Sequence, residues 1–202
     1  MVNSKIKMSN KKNHKIDITD VAINKVGKIE FEEIPKEEHL IISNLAKMVL
    51  EISKENNNSN EVSITYKMGT DIKDLESSIG VQFGNEYEVD PLGNTASYHI
   101  IKGQNECIVV LLHNHPSLSS FSLDDIYFFL SYHTIKMMVL VSNKGDIHYM
   151  VKNNKYDVDK NMLLLNKAGN EYDKSKSLKK KFEAINIFLK GCKKNGIIYK
   201  KQ

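Results

Sequence analysis

Two histidines on one predicted strand are the residues of this sequence whose types and spacing are best suited to chemistry. His113 and His115 directly follow an apolar run, residues 107–112, that is rich in β-branched side chains. Such a run predicts a strand that is buried on both faces. Because side chains alternate along a strand, His113 and His115 should project to the same side while Asn114 points away. Two imidazoles on one face supply two of the three protein ligands that a catalytic zinc ion needs.

The residues after the histidines supply a third candidate ligand. Pro116 cannot continue the hydrogen-bonding pattern of a sheet, so the chain should leave the sheet there. Ser122 and Asp125 then stand at the start of an apolar helical pattern that consists of Leu123, Ile126, Phe129 and Leu130. A short loop can return Asp125 to the end of the histidine strand, which completes a three-ligand set with an open fourth position. The serine and the acid also fit a helix capping box, and the two roles are compatible.

This segment resembles the metal motif of the JAMM/JAB (MPN-type) metallopeptidases, in which His-x-His-Pro is followed by a loop and Ser-x-x-Asp. RadC proteins share the His-Asn-His-Pro-Ser opening, and the short form here is similar to JAB-like domains of phage-associated and toxin-associated bacterial proteins. One departure is the loop, since six residues separate His115 from Ser122 where the family usually has seven. Asp125 keeps the family's spacing from Ser122 and Asp124 does not, so Asp125 is the expected ligand.

The resemblance also implies a general base, an upstream glutamate on or just before the strand that follows the first helix. Glu61 fits that place because it follows an Asn-rich loop and opens the predicted strand at residues 62–66. Glu86 and Glu88, on a later predicted strand, are the remaining candidates. The alternative for Glu61 is a solvated residue at the start of a strand.

The reaction that the resemblance implies is hydrolysis of an amide, either a peptide bond or an isopeptide bond at a lysine. His113, His115 and Asp125 would hold Zn²⁺, with water in the fourth position. Glu61 would deprotonate that water and later protonate the departing amine, while Ser122 would donate a hydrogen bond to the developing oxyanion. The expected partner is therefore a peptide or protein substrate, including a lysine-linked conjugate. The alternative is a non-catalytic JAB-like scaffold or a RadC-like nucleic-acid-associated binding module, with zinc structural or absent.

The elements that must position these residues follow from periodicity and turn signals. Pro35 should open a helix that ends in the loop at residues 56–60. Further helices are predicted at residues 96–101, from Leu123 onward and at residues 178–192, and strands at residues 62–66, 86–89, 107–112, 137–141 and 147–151. The last two strands flank a turn at residues 143–145 and should form a hairpin. The predicted fold class is α/β, a JAB/MPN-like (cytidine-deaminase-like) mixed central sheet flanked by helices.

Three parts of the chain differ in composition. Residues 1–30 predict a partly mobile N-terminal extension, residues 31–151 the JAB/MPN-like domain, and residues 152–202 a Lys-rich helical extension. The last part carries 14 lysines against five acids, a net +9 that leaves −5 for the rest of a +4 chain. Its helical stripe of Leu178, Phe182, Ile185, Phe188, Leu189 and Cys192 stands beside three lysines at positions 179–181. This helix could bind an acidic partner or nucleic acid, but its spacing is ordinary for packing on a core with a solvated lysine face.

The composition of the chain argues against several other classes of protein. No apolar run approaches the length of a membrane span and no secretory signal opens the sequence, so a cytoplasmic protein with no membrane partner is expected. The two cysteines, Cys107 in the predicted buried strand and Cys192 in the late helix, do not make a disulfide framework. All 29 basic residues are lysines, so the bidentate guanidinium contacts that read guanine are absent. Abundant Asn and Ile beside Lys point to an AT-rich bacterial or phage genome.

Overall fold

The computed structural model describes residues 15–75, 78–117 and 120–202 of the chain. Within these ranges the helices are α1 (Asp20–Lys25), α2 (Lys36–Asn56), α3 (Thr95–Lys102), α4 (Leu123–Ser131), α5 (Val158–Asp173) and α6 (Leu178–Gly191). The strands are β1 (Val62–Lys67), β2 (Gly80–Phe83), β3 (Val109–His115), β4 (Ile135–Ser142), β5 (Ile147–Lys152) and β6 (Ile197–Lys201). No helix of the described ranges is both long enough and apolar enough to cross a membrane.

The strands form one six-stranded mixed sheet in the order β2-β1-β3-β4-β5-β6. Strands β3 and β4 are parallel and the other neighbours are antiparallel. A parallel pair needs a crossover connection, and α4 supplies it between β3 and β4. The predicted α/β class, with helices around a mixed sheet, is confirmed.

Helices cover both faces of the sheet, and each face has its own apolar core. On one face α1 and α2 pack against side chains that include Ile64, Val110, Leu112 and Val139. On the other face α4, α5 and α6 pack against side chains that include Val109, Leu111, Met138 and Leu140. The alternation along β3, in which Val110 and Leu112 face one core and Val109 and Leu111 the other, is what the apolar run predicts for a strand buried on both faces.

The sequence analysis predicted one strand that is not present and missed two others, β2 and β6. Residues 86–89 do not form a strand; the edge strand next to β1 is β2, Gly80–Phe83. The alternation at residues 86–89 belongs to a loop in which Asn85 Oδ1 accepts hydrogen bonds from the backbone N–H groups of Tyr87 and Glu88, at 2.7 and 3.2 Å. Such an Asx turn bends the chain where a strand would extend it. At the opposite edge of the sheet, β6 is a short strand that pairs with β5.

Both segments that flank the predicted domain contact the same sheet. In the N-terminal segment, Ile18, Ile23, Val26 and Ile29 belong to the core that covers the α2 face, while residues 1–14 lie outside the described residues. In the C-terminal segment, β6 extends the sheet and α6 buries Ala184, Ile185, Phe188 and Leu189. The expected packing of α6 on the core is therefore confirmed, although Leu178 and Phe182 of its apolar stripe are exposed.

The two cysteines lie in different environments. Cys192 is buried directly after α6, whereas Cys107 is exposed and precedes β3, which begins at Val109. The prediction that Cys107 lies in the buried strand was wrong, because residues 105–107 bend before the chain enters the sheet. Both thiols are free.

Candidate functional site

The C-terminal end of β3 carries His113 and His115 on the face that α4 covers. Their side chains are buried, and the ring of His113 lies 6.2 Å from that of Phe121, centroid to centroid. The strand ends at His115, and Pro116 leaves the sheet as predicted. The Nε2 atoms of the two histidines lie 3.2 Å apart. The strand period therefore brings two imidazole nitrogens to one point.

The first turn of α4 places Asp125 against the same point. Ser122 Oγ accepts a hydrogen bond from the Asp125 backbone N–H at 3.0 Å, and Asp125 Oδ2 accepts one from the Ser122 backbone N–H at 2.7 Å. This capping box fixes the orientation of the carboxylate, whose Oδ1 lies 3.4 Å from His113 Nε2 and whose Oδ2 lies 3.3 Å from His115 Nε2. The capping box that the sequence predicts is therefore present, and it holds the Asp125 carboxylate beside the two histidines.

The three donor atoms have the spacing of ligands around one metal ion. His113, His115 and Asp125 each offer one ligand atom, and these atoms lie within 4.8 Å of one another. Zinc bonds of about 2.0–2.1 Å at tetrahedral angles separate ligand atoms by about 3.3 Å. The two Nε2 atoms are 3.2 Å apart, and each has one Asp125 oxygen at a similar distance, Oδ1 at 3.4 Å from His113 and Oδ2 at 3.3 Å from His115, close to this value. Two imidazoles and one carboxylate are also a donor set that zinc accepts in catalytic sites. The residues present therefore fit a zinc ion.

The electrostatics of Asp125 agree with a ligand role. Burial by itself would raise the pKa of this carboxyl group, but the charges of His113 and His115 and their hydrogen bonds hold it well below its usual range. A carboxylate must be ionised to bind a metal, so Asp125 is in the required state at neutral pH.

Glu61 lies beside the three candidate ligands, directly before β1. Its side chain is 9% exposed, and its Oε1 lies 3.9 Å from His115 Nε2. Burial raises the pKa of Glu61 to about 8; His115 lowers it, while Asp125 and Glu88 raise it further. A cation bound at the three ligands would favour the ionised form of this carboxyl group. Glu61 is therefore a buried carboxylate held near, but not among, the candidate ligands.

The other two candidate bases lie further out. Glu86 and Glu88 belong to the loop after β2 and line the same cleft as the ligands. In the described part of the chain, no carboxylate oxygen of either residue lies within 4.0 Å of a ring nitrogen of the two histidines, whereas Glu61 Oε1 lies 3.9 Å from His115 Nε2. Of the three carboxylates, Glu61 is the one that the fold brings to the site.

Ser122 lines the cleft while it caps α4. Its Oγ accepts the hydrogen bond from Asp125 N–H, and within the described ranges the hydroxyl donates none to the protein. A hydroxyl can accept and donate at the same time, so Ser122 retains a hydrogen for a group in the cleft.

A buried amide network behind the histidines is a feature that the sequence did not reveal. Asn114, between the two histidines but on the opposite face, is fully buried. Its Nδ2 donates to Asn60 O, Ser53 Oγ and Asn143 Oδ1 at 3.1, 3.2 and 2.8 Å. An asparagine inside an apolar strand indicates that its buried amide has hydrogen-bond partners. The sequence alone does not identify these partners.

This network reaches a second part of the chain through Asn143, which follows β4. Asn143 Nδ2 donates to Ile16 O at 2.7 Å and to Ser59 O at 2.9 Å. The backbone of Ile16 also donates to Pro116 O at 2.8 Å. The N-terminal segment is thereby bonded to the residue that directly follows the histidine pair.

The lysine-rich helix α6 has two different surfaces. Lys179 and Lys180 are exposed, as expected for a solvated face. Leu178, Phe182 and Ile185 instead line the cleft that holds the histidines. Binding of an acidic partner or nucleic acid by the lysines stays a prediction.

Comparisons with known proteins add no identification. No protein-family model, curated protein or solved structure matches this chain.

Proposed function

We propose that this chain is a zinc-dependent metallopeptidase or isopeptidase of the JAB/MPN type. The observation that carries the proposal is the placement of a buried carboxylate, Glu61, beside two imidazoles and a carboxylate whose ligand atoms lie within 4.8 Å of one another. His113, His115 and Asp125 would hold the ion. When bound, zinc polarises a carbonyl group and increases the acidity of water.

The chain's own residues supply the proton transfers. Glu61 accepts a proton from the attacking water and delivers it to the departing amine, which is the work of a general base that becomes a general acid. Its side chain is 9% exposed, so it opens to the cleft while being shielded from bulk solvent. Ser122, which lines the same cleft, donates its hydroxyl hydrogen to the carbonyl oxygen as negative charge develops there.

The order of the site along the chain supports the same proposal. Glu61, the histidine pair and the serine–aspartate pair occur in the order of the JAMM/JAB motif, and β1, β3 and α4 bring them to one place. A protein that had only a scaffold role would not need a buried carboxylate beside the ligands.

The proposal is tested by metal content and hydrolysis, measured together. We expect about one zinc per chain in the wild type, by analogy with single-zinc catalytic sites. The His115→Ala variant should lose the metal, and the matched control His133→Ala, which removes an exposed histidine, should keep it. Zinc-loaded wild type should cleave peptides in a digest of denatured casein, detected by mass spectrometry, and a chelator should stop the cleavage.

Two results would contradict the proposal. Wild type without zinc after growth in zinc-supplemented medium would exclude the metal site. Bound zinc without cleavage of peptides or of lysine-linked conjugates would favour the scaffold instead.

A further inference from the structure

The candidate ligands lie in a cleft of about 650 Å³, and several charged side chains line the rest of this cleft. Among the described residues, four carboxylates besides those of Glu61 and Asp125 line it, together with two lysines: Glu86, Glu88, Asp90, Asp124, Lys15 and Lys181. The chain carries a net charge of +4, whereas acids outnumber lysines in this described lining.

Within the described part of the chain, no salt bridge neutralises these four acids. Among the ion pairs of residues 15–75, 78–117 and 120–202, none involves Glu86, Glu88, Asp90 or Asp124. Asp90 accepts a hydrogen bond from the backbone N–H of Leu92. Lys181, the lysine of the opposite wall, has its Nζ 4.6 Å from the centre of the Tyr172 ring. A dication at the three ligands would be offset by Asp125 and Glu61, which leaves the four acids in excess over the two lysines.

The loop that carries Glu88 is fixed beside Glu61. The backbone N–H of Gly84 donates to Glu61 O at 2.8 Å, and the N–H of Glu61 donates to Asn85 O at 3.0 Å. A side chain at Gly84 would place its Cβ 2.3 Å from Glu88 O, so the loop folds closely on itself there. Glu88 is therefore held at the rim by backbone contacts to the candidate base.

Glu88 and Asp124 line the cleft from different elements. Glu88 belongs to the loop after β2 and Asp124 to the first turn of α4, and both residues are exposed. A cation in the cleft between these two elements would be attracted by both carboxylates.

We propose that the cleft selects peptide segments that carry a lysine or arginine side chain next to the scissile amide, and that Glu88 and Asp124 receive this cation. The inference rests on the proposed function, because the buried triad and Glu61 identify the cleft as the place where a ligand lies. In a lysine-linked conjugate the linked lysine has lost its charge, so the recognised cation belongs to a neighbouring residue. Leu178 and Phe182, exposed on the opposite wall, offer an apolar surface to the rest of the segment.

The test compares binding and cleavage of the same peptides by the zinc-loaded full chain. The probes are short fluorescein-labelled peptides of alternating Ala-Lys, Ala-Gln and Ala-Glu, with binding followed by fluorescence anisotropy and cleavage by mass spectrometry. We expect the Ala-Lys peptide to bind about tenfold more tightly than the Ala-Gln peptide because its charge complements that of the cleft. The Ala-Glu peptide should bind most weakly.

Matched variants identify the carboxylates that are responsible. Glu88→Gln combined with Asp124→Asn should remove the preference for lysine, while Glu55→Gln combined with Glu106→Gln makes the same change of net charge outside the cleft and should keep it. Glu88→Lys should turn the preference toward the Ala-Glu peptide. Thermal denaturation of each variant checks that it is folded.

The outcomes separate this inference from the proposed function. Cleavage of all three peptides at equal rates, or a lysine preference that survives in the cleft variants, would overturn the inference and leave the hydrolase intact. A lysine preference in binding that the cleft variants lose, without any cleavage, would support the inference and contradict the hydrolase. Failure of every peptide to bind would overturn the inference.

Discussion

Asn114 Oδ1 accepts a hydrogen bond from the backbone N–H of Val62 at 2.8 Å, which ties the histidine strand to the segment that carries the candidate base. Asn114 Nδ2 donates to Asn60 O at 3.1 Å. One amide therefore bonds the backbone on both sides of Glu61, while its own neighbours along the chain are His113 and His115. This side chain therefore links the backbone around Glu61 to the strand that carries the two histidines.

Replacement of Asn114 by Ala should therefore affect both stability and activity. The change would remove the hydrogen bonds that Asn114 makes with Val62 N–H and Asn143 Oδ1, and we expect the free energy of unfolding to fall by about 2–4 kcal/mol. Chemical denaturation of the metal-free protein measures this loss. The control is Asn44→Ala on the exposed side of α2, which should be neutral or slightly stabilising. Equal effects of the two substitutions would show that the network does not support the site.

The Glu61→Gln substitution separates catalysis from metal binding. Glutamine keeps the size and hydrogen-bonding capacity of the side chain but cannot accept the proton, so hydrolysis should fall by about 10²–10⁴ while zinc stays bound. His115→Ala and Asp125→Ala should lose both zinc and activity, because each removes a ligand. Metal analysis and peptide cleavage are measured on the same preparations.

Two results would change the assignment of Glu61. An active Glu61→Gln enzyme would mean that another carboxylate is the base, and Glu86 and Glu88 would be tested next. A Glu61→Gln protein without zinc would mean that Glu61 is itself a ligand.

The Ser122→Ala substitution should lower both the stability of the protein and its kcat, because this serine has two proposed roles. Removal of the N-cap of α4 should lower the free energy of unfolding by about 1 kcal/mol, and removal of the oxyanion donor should lower kcat by about 10²–10³. Thr19→Ala is the matched control, since Thr19 Oγ1 caps α1 by accepting from Ala22 N–H at 3.2 Å. It should cost similar stability with unchanged kcat. If the two variants have equal kcat, Ser122 is a cap only.

Lys152 should give the stability of the protein a measurable pH dependence. Its side chain is 2% exposed and its Nζ donates to Tyr132 O at 2.8 Å. Burial lowers the pKa of Lys152 from 10.5 to about 8, so between these values the unfolded chain binds the proton more tightly than the folded protein does. Stability should therefore rise with pH across this window, by about 3 kcal/mol in total, and should be independent of this group well below pH 8.

Denaturation of the metal-free protein across that pH range tests this expectation against Lys152→Met. As the pH rises, the free energy of unfolding of wild type should increase relative to that of Lys152→Met. Lys167→Met, which removes an exposed lysine, should show a constant difference from wild type. A constant difference for Lys152→Met as well would show that the buried lysine does not titrate as its surroundings imply.

Local periodicity was enough to predict much of the site. The period of a strand placed His113 and His115 on one face, and the capping pattern placed Ser122 and Asp125 at the start of α4. These relationships involve residues a few positions apart, so side-chain alternation and helix geometry determine them without the rest of the chain. The same reasoning failed at residues 86–89, where alternation also occurs in a loop, and at Cys107, which bends outside the strand that it was expected to begin.

Only the tertiary structure decided how Glu61 meets the histidines. Strands β1 and β3 pair antiparallel with Ser63 opposite His113, and continuation of that register brings Glu61 level with His115. A shift of one residue would have turned the carboxylate to the α2 face. The amide of Asn114 fixes this register, and the cleft around it needs the loop after β2 and helix α6, which are far apart in sequence. The sequence by itself determined the chemical groups and their local spacing, whereas long-range strand pairing and packing decided which of the glutamates stands beside the ligands.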